Sequence, residues 1–110
     1  MEGVTMVKLT VLYGHPDDPG AFEDYYANTH MPMVREIPGL LRYEVAKAVA
    51  TPDGSEEGSA PPYYRTFEGY FEDMGRLQGG MSSPEGQAAS ADIPNFATGG
   101  ATIFISEVDA

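Results

Sequence analysis

The chain contains no cysteine. Disulfides, thiolate nucleophiles and cysteine-based metal sites are therefore excluded. Basic residues are scarce: 6 Lys and Arg stand against 17 Asp and Glu, for a net charge of −11. So acidic a surface repels phosphate backbones and anionic lipid, so neither nucleic acid nor a membrane surface is an expected partner. No apolar run approaches the ~18 residues that a bilayer span requires. The segment Met1-Glu2-Gly3-Val4-Thr5-Met6 has no basic stretch followed by an apolar one, so no signal peptide is expected, and the expected location is the cytoplasm. There is no Gly-rich phosphate loop, no Gly-x-Ser-x-Gly elbow and no internal repeat. Gly79-Gly80 and Gly99-Gly100 read as turn glycines. Histidine occurs only at positions 15 and 30. A metal site built from both with Asp17 or Glu23 matches no ligand-spacing motif, so no metal and no cofactor is expected.

What is present suits one globular domain of 110 residues, spanning 1–110 with its core over 6–108. Hydrophobic residues make up 42% of the chain, too many for disorder. The most informative stretch is Phe22-Glu23-Asp24-Tyr25-Tyr26-Ala27-Asn28-Thr29-His30-Met31-Pro32. At about 100° per residue, Phe22, Tyr26, Thr29 and His30 share one helical face, while Glu23, Asp24, Ala27, Asn28 and Met31 fall on the other. Pro32 is expected to kink or end the helix, leaving His30 in a loosened last turn. A buried imidazole there serves either as a hydrogen-bonded core group or as an acid–base group titrating near neutrality. His15, between Gly14 and Pro16, is expected on a surface turn.

Alternation of apolar and polar residues predicts a strand over Met6–Tyr13, followed by a turn-rich loop over Gly14–Gly20. Asp18 is a plausible N-cap with Pro19 at the first helical position. Ile37-Pro38-Gly39 breaks the chain before a second strand over Leu40–Ala50. Thr51 to Pro62, rich in Gly, Ser, Pro and acids, reads as a mobile hairpin loop. A third strand covers Tyr63–Phe71. A short helix over Glu72–Gly80 is expected to end at Gly79-Gly80, and a second starts at Ser83-Pro84 and runs to Asp92. Ile93–Phe96 reads as a turn and Ala101–Val108 as the last strand. The order β-α-β-β-α-β is that of an α+β, ferredoxin-like fold: a four-stranded antiparallel sheet with helices on one face. The other face carries Lys8, Thr10, Leu12, Arg42, Glu44, Thr66, Glu68 and Tyr70. Half apolar, it implies a partner, most simply a second copy of the chain.

Tyr13, Phe22, Tyr26, Tyr43 and Phe67 converge with His30 in this arrangement. They either pack the core or line a pocket for a small, partly aromatic hydrophobic molecule, with His30 and a tyrosine as polar anchors.

The residues also carry a resemblance. Val7-Lys8-Leu9-Thr10-Val11-Leu12-Tyr13, Asp18-Pro19, Phe22, Tyr25-Tyr26, His30-Met31-Pro32, Ile37-Pro38-Gly39-Leu40 and Tyr43-Glu44 match the pattern of the EthD family, named after a protein of ethyl tert-butyl ether degradation. Phe67-Glu68, Ser83-Pro84-Glu85-Gly86, Asp92 and Asn95-Phe96 fit it too. The resemblance covers nearly the whole chain from Met6, and His-x-Pro followed by Ile-Pro-Gly is its most specific part. It implies a dimeric α+β barrel, in which two ferredoxin-like sheets pack face to face and each subunit keeps a cavity between sheet and helices. Similar proteins include cofactor-free monooxygenases, lactone isomerases and polyketide cyclases or dehydratases. The expected site is therefore His30 as general acid or base, Tyr13 or Tyr26 as donor to a developing enolate, and Phe22, Tyr43 and Phe67 as substrate contacts. An isomerase, cyclase or lyase acting on a small hydrophobic or phenolic compound, a non-catalytic binding or accessory protein, and a cofactor-free monooxygenase all fit. The departures from the pattern are the long acidic Thr51–Pro62 loop and the Met1–Thr5 leader.

Overall fold

A computed structural model describes residues 6–52 and 61–109. Four strands, β1 (Val7–Tyr13), β2 (Arg42–Lys47), β3 (Arg65–Phe71) and β4 (Ala101–Glu107), form one sheet in the order β2-β3-β1-β4. Each neighbouring pair is antiparallel. The helices are α1 (Pro19–Tyr25), α2 (Met31–Val34), α3 (Met74–Ser82) and α4 (Pro84–Asp92). The fold is the α+β, ferredoxin-like one that the element order implies. Among the described residues, no helix is long and apolar enough to cross a membrane.

The register fixes two faces. Val11 sits between Phe67 and Ile103, and Val45 pairs with Phe67, so these side chains point to the helices. Thr10 sits between Glu68 and Phe104, and the open-face residues Lys8, Leu12, Thr66, Tyr70, Arg42 and Glu44 share its side. The core lies under the helices: Val7, Val11, Tyr13, Phe22, Tyr26, Val34, Phe67, Phe71, Leu77 and Phe96 are all buried.

Several boundaries differ from expectation. β2 is shorter at both ends. The Leu41 and Ala48 amides still bond to Tyr70 and Tyr64, but Val49 is 86% exposed and beyond the sheet. The expected Thr51–Pro62 loop falls, for residues 53–60, outside the described residues. α3 begins at Met74, after an Asp73 cap that accepts from the Arg76 amide, and runs through Gly79 and Gly80 to Ser82. Gly80 is not a terminator but a point of close approach: a Cβ there would lie 2.3 Å from the Pro38 carbonyl oxygen. Gly86 does the same one helix later, where a Cβ would lie 2.1 Å from the Gly80 carbonyl oxygen.

The largest departure lies at Tyr26–His30. Instead of ending, the helix widens there into a π turn, in which the Met31 amide bonds to the Tyr26 carbonyl five residues back. The extra residue in the turn shifts the helical phase, so Met31, expected on the polar side, is buried. Pro32 then falls in the first turn of α2, and helix continues to Val34. His30 therefore sits mid-helix, at the junction, rather than in a fraying last turn.

Candidate functional site

His30 is 3% exposed, and its ring is packed between aromatic neighbours. Tyr26, four residues back along the π turn, stacks on it at 5.8 Å between ring centres, and the Phe96 ring lies 4.6 Å away. The imidazole Nδ1 lies 3.0 Å from Asp92 Oδ2. Asp92 is the last residue of α4, and its other oxygen accepts from the Tyr25 hydroxyl at 2.6 Å and from Asn95 Nδ2 at 2.9 Å. Elements remote in sequence thus meet at one buried carboxylate.

Burial pushes the Asp92 carboxyl up, but the hydrogen bonds from Tyr25, Asn95 and His30 outweigh it and hold the group below its ordinary value. Asp92 is thus ionised and accepts only, so Nδ1 must be the protonated nitrogen of His30. For His30, burial dominates and lowers the value, against the opposing pull of Asp92. The resting imidazole is neutral, with a lone pair on Nε2, and Nε2 has no hydrogen-bond partner among the described residues.

The ring borders a cavity of about 80 Å³ between sheet and helices. Its walls are Leu9, Val11 and Phe67 from the sheet, Val34, Ile37, Met81, Ala89 and Ile93 from the helical side, and Ile103 from β4. Its lining residues with polar side chains are His30, Tyr13 and Ser90. Burial pushes the Tyr13 phenol far up, so it stays protonated and able to donate.

Of the residues singled out from sequence, His30, Tyr13 and Phe67 share this cavity. Phe22, Tyr26 and Tyr43 do not line it. Phe22 packs edge-on to Tyr13 at 5.5 Å, behind the cavity wall. Tyr26 presses its ring on His30 and Tyr13 but borders a separate groove with Glu23, Arg35, Tyr43 and Arg65, and its buried hydroxyl finds no partner among the described residues. Tyr43 stacks on Phe67 at the β2 side and accepts from Arg35 Nε at 2.9 Å. His15 is exposed, with Nε2 2.7 Å from the Pro61 carbonyl oxygen.

Sequence reasoning about chemistry passed over Asp92, Tyr25, Asn95 and Phe96. A signal was available: Asp92 follows Ala89 by three residues, so an acid lies on the buried face of α4 and needs a donor.

A model of the EthD domain matches residues 15–100. A protein of Rhodococcus erythropolis, described as an uncharacterized 11.0 kDa protein in the thcB-thcC intergenic region, is 37% identical over 102 residues, which cover 93% of this chain and 94% of that one. The crystal structure of an EthD family protein from Bacillus halodurans C-125 matches with a TM-score of 0.86 at 38% identity, over 94% of this chain and 99% of that one. A dimeric ferredoxin-like protein of unknown function from Thermobifida fusca YX shares the fold alone, with a TM-score of 0.67 at 16% identity over 98% of this chain and 94% of that one. With a family match over most of its length and a relative of similar size above one-third identity, the chain belongs to the EthD family.

Proposed function

We propose that the chain acts on a small hydrophobic carbonyl compound held in the cavity beside His30, moving a proton in an isomerisation, cyclisation or dehydration. The observation that carries this is a buried imidazole whose Nδ1 is fixed by Asp92 while its Nε2 has no partner among the described residues, on a ring that borders the cavity. In this reading Nε2 removes a proton from the carbon next to the carbonyl. The C–H electron pair moves into a carbon–carbon bond and the carbonyl oxygen becomes an enolate. The Tyr13 hydroxyl, kept protonated by burial, donates to that oxygen. Nε2–H then returns the proton to the same carbon or to a conjugated one. Asp92 orients His30 and favours the imidazolium formed midway. Phe67 is a substrate contact. Tyr26 holds the ring plane of His30 by stacking, and Phe22 and Tyr43 support the walls from behind.

The test is exchange of the α-protons of butan-2-one in D2O. The protein should accelerate it, and His30→Ala should lose about 100-fold of that acceleration while binding butan-2-one almost as well. The second reading, a binding protein without chemistry, is favoured by the mostly apolar lining. Binding of the ketone by both proteins with no accelerated exchange would establish it and end the proton-transfer reading. Oxygen consumption with a phenolic compound would instead indicate the cofactor-free monooxygenase.

A homodimer belongs to the same proposal. The open sheet face is covered by no described element, Phe104 stands 46% exposed on it, and a ferredoxin-like fold neighbour is dimeric.

A further inference from the structure

β4 presents an apolar edge that the core does not use. Ile103 is 50% exposed although the register turns it toward the helix side of the sheet, and Ile105 behaves alike. Ile103 is at once a wall of the His30 cavity and a wall of a wider depression of about 360 Å³ outside it. Ser90 and Ile93 also line both spaces. The depression continues over Pro94, Ala97 and Ala101, all short or rigid side chains.

We infer, resting on the function proposed above, that the site is a two-chamber channel for an elongated substrate, with a reacting head beside His30 and an unbranched apolar tail in the outer depression. Ile93, Ser90 and Ile103 form the neck. The size of the inner chamber requires this division. A closed apolar cavity that takes up benzene has about 150 Å³, and the inner space has roughly half of that. It accommodates a carbonyl and a few carbons, so a longer chain must extend beyond it, and the residues shared with the outer depression mark the route. Among the described residues, none lining the outer chamber is charged, so the tail it accepts is hydrocarbon. The exposure of Ile103 on the edge strand is accounted for as the wall of this exit.

The experiment measures binding and α-proton exchange of straight-chain methyl ketones from butan-2-one to decan-2-one. Affinity is expected to rise about three- to fourfold per methylene once the chain is long enough to pass the neck. Ala101→Trp, which fills the outer chamber, should abolish that rise. Ile103→Trp, or Ser90→Phe should the first variant fold poorly, should weaken every member at least tenfold by blocking the neck. A flat series in the unaltered protein, or an undiminished rise in Ala101→Trp, overturns the channel while leaving the His30 reading intact. If butan-2-one neither binds nor exchanges, both fall together.

Discussion

Replacing Asp92 with Ala removes the acceptor of three hydrogen bonds at once, leaving the Tyr25 hydroxyl, Asn95 Nδ2 and His30 Nδ1 to find others. With the carboxylate buried, the expected loss is about 2–4 kcal/mol of stability, measurable by urea unfolding. Asp92→Asn keeps the volume but can present an N–H to Nδ1, which frees the other tautomer. It should lower proton-transfer activity about 100-fold with a smaller change in stability. The pH dependence follows from the same pair. His30 in the folded chain lies below its ordinary 6.5, so on acidification the unfolded chain binds the proton first. Its contribution to stability is complete above pH 6.5 and is lost as the pH falls through the folded value. Asp92 lies below its ordinary 3.8 and adds a loss of the same sign at lower pH. Relief of the chain's negative charge acts in the opposite direction, so the measurement is a comparison. Between pH 7 and 5 the unaltered protein should lose stability relative to His30→Gln; parallel curves would mean that His30 is not held neutral. Exchange activity should rise with pH along an ionisation below 6.5 and level off near neutrality. The burial of His30 was readable from its phase with Phe22 and Tyr26, because those three lie within two and a half helical turns. Its partner was not, because Asp92 is 62 residues away and only the fold brings it near.

Among the elements, the alternating strands were legible because a sheet with one covered face imposes period two, and the register bears out each assigned face. The π turn was not legible. Nothing in Tyr26-Ala27-Asn28-Thr29-His30 marks an inserted residue, and an assumed 100° step placed Met31 outside. Such turns often accompany functional sites, and here the turn brings Tyr26 onto the His30 ring. Gly79-Gly80 misled for a different reason: glycine reads as a terminator by backbone freedom, whereas Gly80 is needed for lack of bulk. The α3–α4 contact tests this. Gly86→Ala would put its methyl 2.1 Å from the Gly80 carbonyl oxygen and 2.6 Å from Met81 Cα, both backbone atoms that cannot swing aside. Helix propensity alone would favour Ala by about 1 kcal/mol. The clash should win, with a net loss of about 1–3 kcal/mol and a lower melting temperature, because α4 can escape only by moving Ala89 and Asp92 off the site. A variant more stable than the parent would show that the helices have slack.

For the whole molecule, the distribution of charge matters more than its sum. A net charge of −11 opposes association of like chains. The open sheet face, however, carries its charges in balanced pairs. Lys8 bonds to Glu68 at 3.0 Å and Arg42 to Glu44 at 3.1 Å, so two cations offset two acids and the face is neutral. The Arg42 guanidinium also lies over Tyr70, 3.8 Å from its ring centre. Thr10 is buried in the middle of this face, and its hydroxyl has no partner among the described residues. Two such faces can therefore meet with little electrostatic cost. We expect a homodimer at micromolar concentration by sedimentation, burying more than roughly 1,200 Å² in total. Phe104→Asp would add an unpaired acid to each apposed face and remove an exposed ring from each. It should shift the protein to monomer without changing its far-ultraviolet circular dichroism. If the unaltered protein sediments as a monomer, face-to-face pairing is wrong. If Phe104→Asp remains a dimer of undiminished affinity, the pairing uses another surface.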